Sequence, residues 1–246
     1  ALVGYTNAGK SSILNRLTGA GVLVENALFA TLDPTVRKAE TLDGRLYTLT
    51  DTVGFVRALP HQLVEAFRST LEEVAEADLL LHVVDGSHPD PEGQISAVRA
   101  VLADVDATDV REVIVINKAD LDKNAATRAE AQITSSLRIL SQHGNPENAH
   151  HNEALWHPKV VQISALLGQG VDSFWAAVTQ FRQLQTANGR LATRREKQAL
   201  AWMWERIDAG LKLAFRQHPQ VKELLPQMQA DVAAGRIAAS TAARNL

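Results

Sequence analysis

The segment Gly4–Ser11, GYTNAGKS, constrains the fold of this chain more than any other feature. It matches the pattern G-x-x-x-x-G-K-[ST], and it lies between the apolar residues 1–3 and the helical sequence KSSILNRLTG. Glycines let successive backbone N–H groups curve around phosphate oxygens, and the N-terminus of the following helix adds the positive end of its dipole. The segment therefore predicts a phosphate-binding loop between a buried strand and a helix.

The other apolar runs alternate with helical patterns, an order typical of a parallel sheet that helices cover on both faces. LLLHVVD (79–85) and EVIVIN (112–117) are continuous β-rich runs, as expected for strands buried on both faces. Asp43-Gly44 predicts a hairpin. Further helices are predicted over 62–76, 91–104, 124–142 and 171–184, and a last strand over 159–164. The predicted fold is a three-layer α/β domain with a mostly parallel sheet over residues 1–185.

The character of the sequence changes from Arg190 onwards, where only helical patterns remain. One apolar stripe at helical spacing runs through Leu200, Trp204, Ile207, Leu211 and Phe215. A second stripe follows Pro219. We therefore predict an all-helical arm over residues 186–246, with dimerisation or client binding as its candidate roles.

Composition and charge exclude several classes of function. The formal net charge of −3 argues against a surface that binds nucleic acid along its whole extent, and we expect no direct DNA binding. No apolar run approaches the roughly 20 residues that a membrane-spanning helix needs, so no membrane contact is expected. The absence of cysteine removes disulfides, thiolate zinc sites and cysteine nucleophiles. It fits a reducing compartment, and we expect a cytoplasmic protein.

The phosphate-binding loop supplies groups for a nucleotide and its metal. Lys10 would reach the β- and γ-phosphates, and Ser11 would ligate Mg²⁺. DTVG (Asp51–Gly54) follows the second hairpin strand, where Asp51 can hold Mg²⁺ through water and the Gly54 N–H can bind the γ-phosphate. The predicted phosphate-contacting residues are Asn7, Ala8, Gly9, Lys10, Ser11 and Ser12.

The segment ENALFATLDPTVR (25–37), between the first helix and the hairpin, is predicted to respond to the γ-phosphate. One threonine in it should bind Mg²⁺ and the γ-phosphate before hydrolysis; we predict Thr31, with Thr35 as the alternative. An ordinary ordered loop is the competing interpretation. The predicted catalytic residues are Lys10, Thr31 and Gly54, and the predicted metal ligands are Ser11, Thr31 and Asp51.

The tetrapeptide NKAD (117–120) indicates that the base is guanine. The Asp120 carboxylate can accept two hydrogen bonds, which matches the paired donors at guanine N1 and N2 but not adenine. Asn117 offers an amide that can both donate to and accept from a purine edge. Lys118 would lay its alkyl stem over the base and brace the phosphate loop.

A fourth motif, SAL (164–166), follows the last predicted strand. Ser164 and Ala165 lie where a backbone N–H of Ala165 could meet guanine O6. Either this motif or NKAD alone would more often be a plain turn after a strand. All four motifs in this order predict the G domain of a P-loop NTPase that binds GTP or GDP with Mg²⁺.

Phe55 follows D-x-x-G, where Ras-type GTPases place the glutamine that orients the attacking water. A phenyl ring cannot do this, so hydrolysis would rely on Mg²⁺, Lys10, backbone donors and a monovalent cation. Asn7 is a candidate K⁺ ligand, and equal GTP turnover in K⁺ and Na⁺ would remove that hypothesis. The alternative is that the Asn7 side chain only braces its own loop.

Residues 1–118 closely resemble the GTPase domain of the HflX family. The resemblance is carried by GYTNAGKSSILNRLTGA, LFATLDPTVR, DTVGFVRALPHQLVEAFRSTLEEV and ADLLLHVVDGSHPD. It implies a translation-associated GTPase that binds the large ribosomal subunit and helps to split stalled ribosomes. Members of that family have a hydrophobic residue after D-x-x-G, as Phe55 is here.

Residues 119–246 resemble a different family, MeaB/ArgK. The resemblance is carried by NAATRAEAQITSSLRIL, LWHPKVVQISALLGQGVDSFW and GRLATRREKQALAWMWERI. It implies a GTPase chaperone of adenosylcobalamin-dependent acyl-CoA mutases, with C-terminal helices that form a dimerisation arm. Because N-K-x-D is common to both families, the chain resembles a composite, or chimera, with its junction near residue 118.

Three functions stay open at this point. The first is an enzyme that hydrolyses GTP to GDP slowly as a switch, with an HflX-like catalytic half and the ribosome as partner. The second is a nucleotide-gated MeaB/ArgK-like chaperone whose partner is an acyl-CoA mutase. The third is an inert chimera that only binds guanine nucleotide.

Overall fold

The computed structural model describes residues 1–19, 21, 35–41, 43–56, 68–105, 107–142 and 156–246. The chain forms two compact units, Ala1–Leu191 and Ala192–Leu246. The predicted boundary after residue 185 falls six residues before this division, within the helix Val171–Ala187.

A six-stranded sheet is the centre of the first unit. Its strands are β1 (Leu2–Gly4), β2 (Thr35–Glu40), β3 (Leu46–Asp51), β4 (Leu80–Asp85), β5 (Glu112–Asn117) and β6 (Lys159–Gln162). Their order in the sheet is β2-β3-β1-β4-β5-β6, and only the β2–β3 pair is antiparallel. This arrangement confirms the predicted fold class, including the hairpin at Asp43-Gly44.

Eight helices are described in the two units together. Those of the first unit are α1 (Lys10–Thr18), α2 (Arg68–Glu76), α3 (Pro91–Asp104), α4 (Lys123–Gln142) and α5 (Val171–Ala187). α6 (Arg190–Gln217) leads into the second unit, which also contains α7 (Pro219–Ala233) and α8 (Ala239–Asn245). The part of the predicted helix 62–76 that precedes residue 68 lies outside the described residues.

Local sequence signals set the ends of these helices. Asp90 accepts a hydrogen bond from the Gly93 N–H at 2.9 Å, and Pro91 occupies the first turn of α3. Both features favour a helix start because they satisfy or replace N–H groups that have no partner within the helix. Gly19 ends α1 in the left-handed conformation, with φ of 67°.

Alternate residues of the central strand β4 face two helical layers. Leu81 and Val83 pack in a cluster with Leu14 of α1 and Phe174 of α5. Leu80 packs on the other side, in a cluster with side chains of α2 and α3. Helices therefore cover both faces of the sheet, which explains why β4 and β5 are continuous apolar runs.

The core joins the two sequence segments that resemble different families. One cluster contains Leu14 from the first segment and Phe174 and Phe181 from the second. Trp156, also from the second segment, meets Phe181 edge-on at a centroid distance of 5.2 Å. The Trp156 Nε1–H donates to the carbonyl oxygen of Glu112 at 2.9 Å. The two segments therefore build one sheet and share a core.

A buried ionic network lies at the amino-terminal end of β5. Glu112 Oε2 is 3.0 Å from His82 Nδ1, and Glu112 Oε1 accepts a hydrogen bond from Arg99. The His82 side chain is fully buried and the Glu112 side chain is 12% exposed. Burial raises the pKa of the Glu112 carboxyl, but His82 and Arg99 outweigh it and lower the pKa to about 2 from 4.5.

Replacing this carboxylate, Glu112→Gln, should destabilise the first unit in a pH-dependent way. A pKa lowered from 4.5 to about 2 implies a contribution of about 3 kcal/mol at pH 7. That contribution is complete above the unfolded-state pKa and is lost as the pH falls through the folded-state pKa. The urea unfolding midpoints of the wild type and the variant should therefore differ clearly at pH 7 and converge towards pH 2.

The exposed Glu40 on β2 provides the matched control. Glu40→Gln should leave the free energy of unfolding within about 0.5 kcal/mol of the wild-type value at both pH values. A pH-independent difference for Glu112→Gln would contradict the ionic origin of its contribution.

Candidate functional site

The predicted motifs meet at the edge of the sheet where the parallel strands end. Gly4, Asp51 and Asn117 are the last residues of β1, β3 and β5, and β6 ends just before residues 163–169. In open α/β sheets, ligands bind in the crevice beyond these carboxyl ends. The four motifs therefore surround one site.

The phosphate loop has the conformation that its glycine requires. Gly9 has φ of 93°, and a Cβ added there would lie 2.2 Å from Asn117 Nδ2. Asn7 is also left-handed, with φ of 58°, and is exposed. The Ala8 N–H donates to the Tyr5 carbonyl at 3.2 Å, which closes the turn. Ser12 follows in the first turn of α1.

Lys10 is buried at the bottom of this loop, with 7% of its surface exposed. Its Nζ donates to the carbonyl oxygens of Gly4 at 3.2 Å and Tyr5 at 3.3 Å. Burial lowers the pKa of Lys10 from 10.5 to about 8, against the opposing charge of Asp51. The ammonium is therefore held inside the loop where phosphate oxygens would need a counter-charge.

Two of the predicted metal ligands are in direct contact. The Ser11 hydroxyl donates to Asp51 Oδ2 at 2.5 Å, and Asp51 is fully buried. A hydroxyl and a carboxylate are hard oxygen ligands of the kind that Mg²⁺ prefers. Thr35, the alternative threonine, pairs with Asp51 across the β2–β3 ladder, whereas Thr31 lies outside the described residues.

The D-x-x-G turn approaches the phosphate loop so closely that only glycine fits. A Cβ added to Gly54 would lie 2.8 Å from Thr6 Cα and 3.2 Å from Lys10 Nζ. The Phe55 N–H donates to the Gly4 carbonyl at 3.1 Å, and the Thr6 N–H donates to the Phe55 carbonyl at 2.8 Å. The Phe55 ring is fully buried in the α2 and α3 cluster, so its role is to pack rather than to meet water.

Asn117 connects the two halves of the site. Its Nδ2 donates to the Ala8 carbonyl at 3.0 Å, and its Oδ1 accepts from the Ala165 N–H at 3.1 Å. Both polar groups of the amide therefore bind protein in this structure, where the sequence predicted contact with a base. Asp120 lies half-buried in the turn after β5.

Two contacts at the site were not foreseen from the sequence. The Lys118 ammonium pairs with Asp85 Oδ2, at the end of β4, at 2.6 Å. Arg16 of α1 donates from Nε to the Ala165 carbonyl at 2.7 Å and from Nη2 to the Leu166 carbonyl. No sequence pattern links these residues, because each pair is joined only by the folded sheet.

The loop after β6 is shaped by its own polar groups. Ser164 Oγ accepts a hydrogen bond from the Leu167 N–H at 3.0 Å, and the Ser164 N–H donates to the Gln169 carbonyl at 3.0 Å. Ser164 is buried and therefore organises the turn that presents Ala165.

Among the residues that the structure describes, no three His, Asp or Glu side chains come together in a way that could hold a metal ion. No helix described in the structure has both the length and the apolar composition to cross a membrane.

A phosphate loop, a Ser–Asp pair, a D-x-x-G turn and an N-K-x-D turn at one sheet edge define a P-loop GTPase. Residues 1–118 match the family described as 50S ribosome-binding GTPase. Residues 64–220 match the family described as Methylmalonyl Co-A mutase-associated GTPase MeaB. Because the second match spans more than half of the chain, the chain belongs to the MeaB family, as a composite that begins like the ribosome-binding GTPases.

HflX GTPases are among the curated relatives that the chain matches. The protein from Caldanaerobacter subterraneus is 60% identical over 121 residues, which are 49% of this chain and 28% of that protein. The protein from Escherichia coli is 36% identical over 226 residues, which are 88% of this chain and 48% of that protein. The chain thus spans less than half the length of these two relatives.

Solved structures confirm the fold. A GTP-binding protein from Sulfolobus solfataricus in complex with GDP superposes with a TM-score of 0.52 at 24% identity, over 73% of this chain and 50% of that chain. An Aquifex aeolicus Era variant bound to GDP and AlF4⁻ gives a TM-score of 0.51 at 24% identity, over 73% and 55%. At this identity the likeness concerns the fold alone.

The close approach of Gly54 to the phosphate loop can be tested by Gly54→Ala. The added methyl group would force Thr6 or the D-x-x-G turn to move, since its distance from Thr6 Cα is 2.8 Å. We expect the free energy of unfolding to fall by about 1–3 kcal/mol. Thermal and urea unfolding, followed by circular dichroism, measure the change.

Gly210→Ala in α6 is the control, because a Cβ there meets nothing within 4 Å. It should be neutral or stabilise by up to about 1 kcal/mol. Equal stability of the Gly54→Ala variant and the wild type would show that the turn is not tightly packed against the loop.

Proposed function

We propose that this chain is a Mg²⁺-dependent GTPase that hydrolyses GTP to GDP and uses the two nucleotide states as a switch. The observation that carries this proposal is the Ser11–Asp51 pair at 2.5 Å, beside the buried Lys10 ammonium. Together they provide two oxygen ligands and one positive charge beside the backbone of the phosphate loop. Ser11 and Asp51 would hold Mg²⁺, whose charge would neutralise phosphate oxygens.

Lys10 and Gly54 would act on the γ-phosphate. Lys10 Nζ is bound to the Gly4 and Tyr5 carbonyls, and phosphate oxygens can replace either acceptor. Gly54 lies beside the same ammonium, since a Cβ added to it would be 3.2 Å from Lys10 Nζ. Its backbone N–H would donate to the γ-phosphate, so that charge developing on the transferred group would meet this donor and Lys10.

Asp120 would read the guanine. The Asn117 amide is engaged by Ala8 and Ala165, so it holds the base pocket together. The carboxylate of Asp120 would accept from guanine N1 and N2, and Lys118, paired with Asp85, would line one side of the base.

Hydrolysis has to proceed without a glutamine after D-x-x-G, because Phe55 fills that position and its ring is buried. We propose that K⁺ supplies part of the missing charge, with the exposed side chain of Asn7 as its ligand. The rate should consequently be slow without a partner.

The proposed activity predicts different effects of two substitutions, one at the phosphates and one at the base. Lys10→Ala should lower Mg²⁺-dependent GTP turnover by roughly 100-fold or more, because a charge at the transferred phosphate is lost. Asp120→Asn should weaken GTP binding by roughly 100-fold and favour XTP, because an amide can donate to the carbonyl that replaces the 2-amino group of guanine. Phosphate release with GTP and XTP measures both.

The gain of Asp120→Asn with XTP is its internal control, since an unfolded variant would lose both nucleotides.

Turnover in KCl should exceed turnover in NaCl, and equal rates would eliminate the K⁺ proposal alone. Wild-type protein that shows no Mg²⁺-dependent turnover, or turnover unaffected by Lys10→Ala, would refute GTP hydrolysis at this site.

We further propose that the helical arm forms a homodimer through α6. No side chain of α6 is buried. Leu200, Trp204, Ile207 and Leu211 follow one another at spacings of four, three and four residues, which is the pattern of a coiled-coil seam. A second copy of the same stripe is self-complementary and would cover these side chains around a two-fold axis.

Leu211→Glu should break this dimer, because it places a charge in the seam. Leu213→Glu is the matched control: Leu211 is 63% exposed and Leu213 57% exposed, but Leu213 lies on the other side of the helix. Light scattering should show a monomer for the first variant and a dimer for the second. A wild-type monomer, or an unchanged mass for Leu211→Glu, would exclude the α6 interface.

A second candidate function, a chaperone for an acyl-CoA mutase, is favoured by the MeaB match over residues 64–220. The match over residues 1–118 favours the 50S ribosomal subunit as the partner instead. Co-sedimentation with 50S subunits and pull-down of methylmalonyl-CoA mutase, each with GDP and with a non-hydrolysable GTP analogue, separates the two. If the chain binds neither partner, with GDP or with the analogue, both candidate partners are excluded.

A further inference from the structure

We propose that Arg16 is a positioning residue for the guanine base, because it fixes the backbone of the loop after β6 to the helix that carries the phosphate loop. This inference rests on the proposed function of the site as a guanine-nucleotide pocket. It assigns to Arg16 no contact with the nucleotide itself.

The guanidinium of Arg16 donates hydrogen bonds to two successive backbone carbonyls. Its Nε–H donates to the Ala165 carbonyl at 2.7 Å, in a partly buried contact, and Nη2 donates to the Leu166 carbonyl. Charge-assisted hydrogen bonds are stronger than neutral ones, and a planar fork that holds two acceptors also fixes their orientation. The direction of the peptide at Ala165 is therefore set from α1.

The loop needs this anchor because its tip buries little. Leu166 is 75% exposed and Leu167 is 58% exposed, so apolar packing contributes little to the position of the tip. Gly168, with φ of 74°, lies against the guanidinium, and a Cβ there would be 3.3 Å from Arg16 Nη1. Polar contacts thus position the tip, next to Ala165, which is itself buried in the core.

Ala165 is held from both sides. Its carbonyl accepts from Arg16, and its N–H donates to Asn117 Oδ1. Asn117 in turn donates to Ala8 of the phosphate loop. The Arg16 contact therefore closes a circuit in which the base loop and the phosphate loop are both attached to α1, a rigid element.

The same contact crosses the junction of the composite chain. Arg16 lies outside residues 64–220, which match the MeaB family, and Ala165 lies outside residues 1–118, which match the ribosome-binding family. An arginine from one segment thus fits two carbonyls of the other. Backbone carbonyls are present whatever the side chains are, which explains how segments that match different families can form this contact.

The experiment compares two probes on Arg16→Met, which keeps the apolar stem and removes the fork. GDP needs both loops, whereas Mg²⁺-tripolyphosphate needs only the phosphate loop. The affinity of the variant for GDP should fall roughly tenfold, the scale of one charged hydrogen bond, while its affinity for tripolyphosphate stays within about twofold. Arg16→Lys should give an intermediate affinity for GDP, since it keeps the charge but not the fork.

Arg111→Met is the matched control. Arg111 is exposed and precedes β5 at the opposite edge of the sheet, so its removal should change neither affinity. Calorimetry measures both probes, and thermal unfolding without ligand reports the integrity of the fold. If Arg16→Met does not fold, the ratio of the two affinities in Arg16→Lys decides.

Wild-type affinity for GDP in Arg16→Met, or an equal loss of both probes, would overturn the positioning role and leave the proposed function intact. Wild-type protein that binds tripolyphosphate but not GDP would instead overturn the guanine pocket itself. The two failures are therefore distinguishable.

Discussion

The parallel pairing of β5 with β6 is the interaction on which the rest of the first unit depends. It runs from Val113 opposite Lys159 to Ile116 opposite Gln162, and the Ile163 N–H continues it to the Ile116 carbonyl. This register brings the loop after β6 beside Asn117 and lets Trp156 and Phe181 complete the core. A slip by one residue would exchange Val160 and Val161 between the two faces of the sheet and move the loop away from Asn117.

Polar groups at the site form hydrogen bonds with one another. Lys10 donates to backbone carbonyls, the Ser11 hydroxyl donates to Asp51, and the Asn117 amide joins two loops. Buried polar groups need such partners, because an unpaired one costs several times the net gain of a hydrogen bond. Under the proposed function, a nucleotide and its metal would replace the first two contacts, whereas the third would persist and keep the pocket assembled.

The two units differ in how they stabilise themselves. The first buries apolar side chains on both faces of its sheet. The second contains Val221 and Ala242 as its buried apolar residues among those described, while Trp204 and Leu211 on α6 stay exposed. In proteins, helices gain most of their stability from the packing of an amphipathic face rather than from propensity, so the exposed apolar stripe of α6 would stabilise it most through association. The proposed homodimer would supply that association.

Much of the fold could be predicted because its signals are local. The α3 bounds follow from Asp90 and Pro91, and the identity of β4 and β5 follows from continuous apolar runs. The predicted helix 124–142 and strand 159–164 differ from α4 and β6 only at their ends, where local signals compete with tertiary contacts. The residues around Thr31 lie outside the described part, so the role of Thr31 stays a prediction.

The sequence by itself determined the ligand class and the order of the elements, since each motif needs only adjacent residues in a fixed backbone turn. The tertiary structure alone decided which polar groups meet. The amide of Asn117, whose contact with the base stays a prediction, joins two loops, and the contacts of Arg16 and Asp85 were not predicted at all. These pairings depend on strand order and register, because they connect residues that lie far apart in the chain.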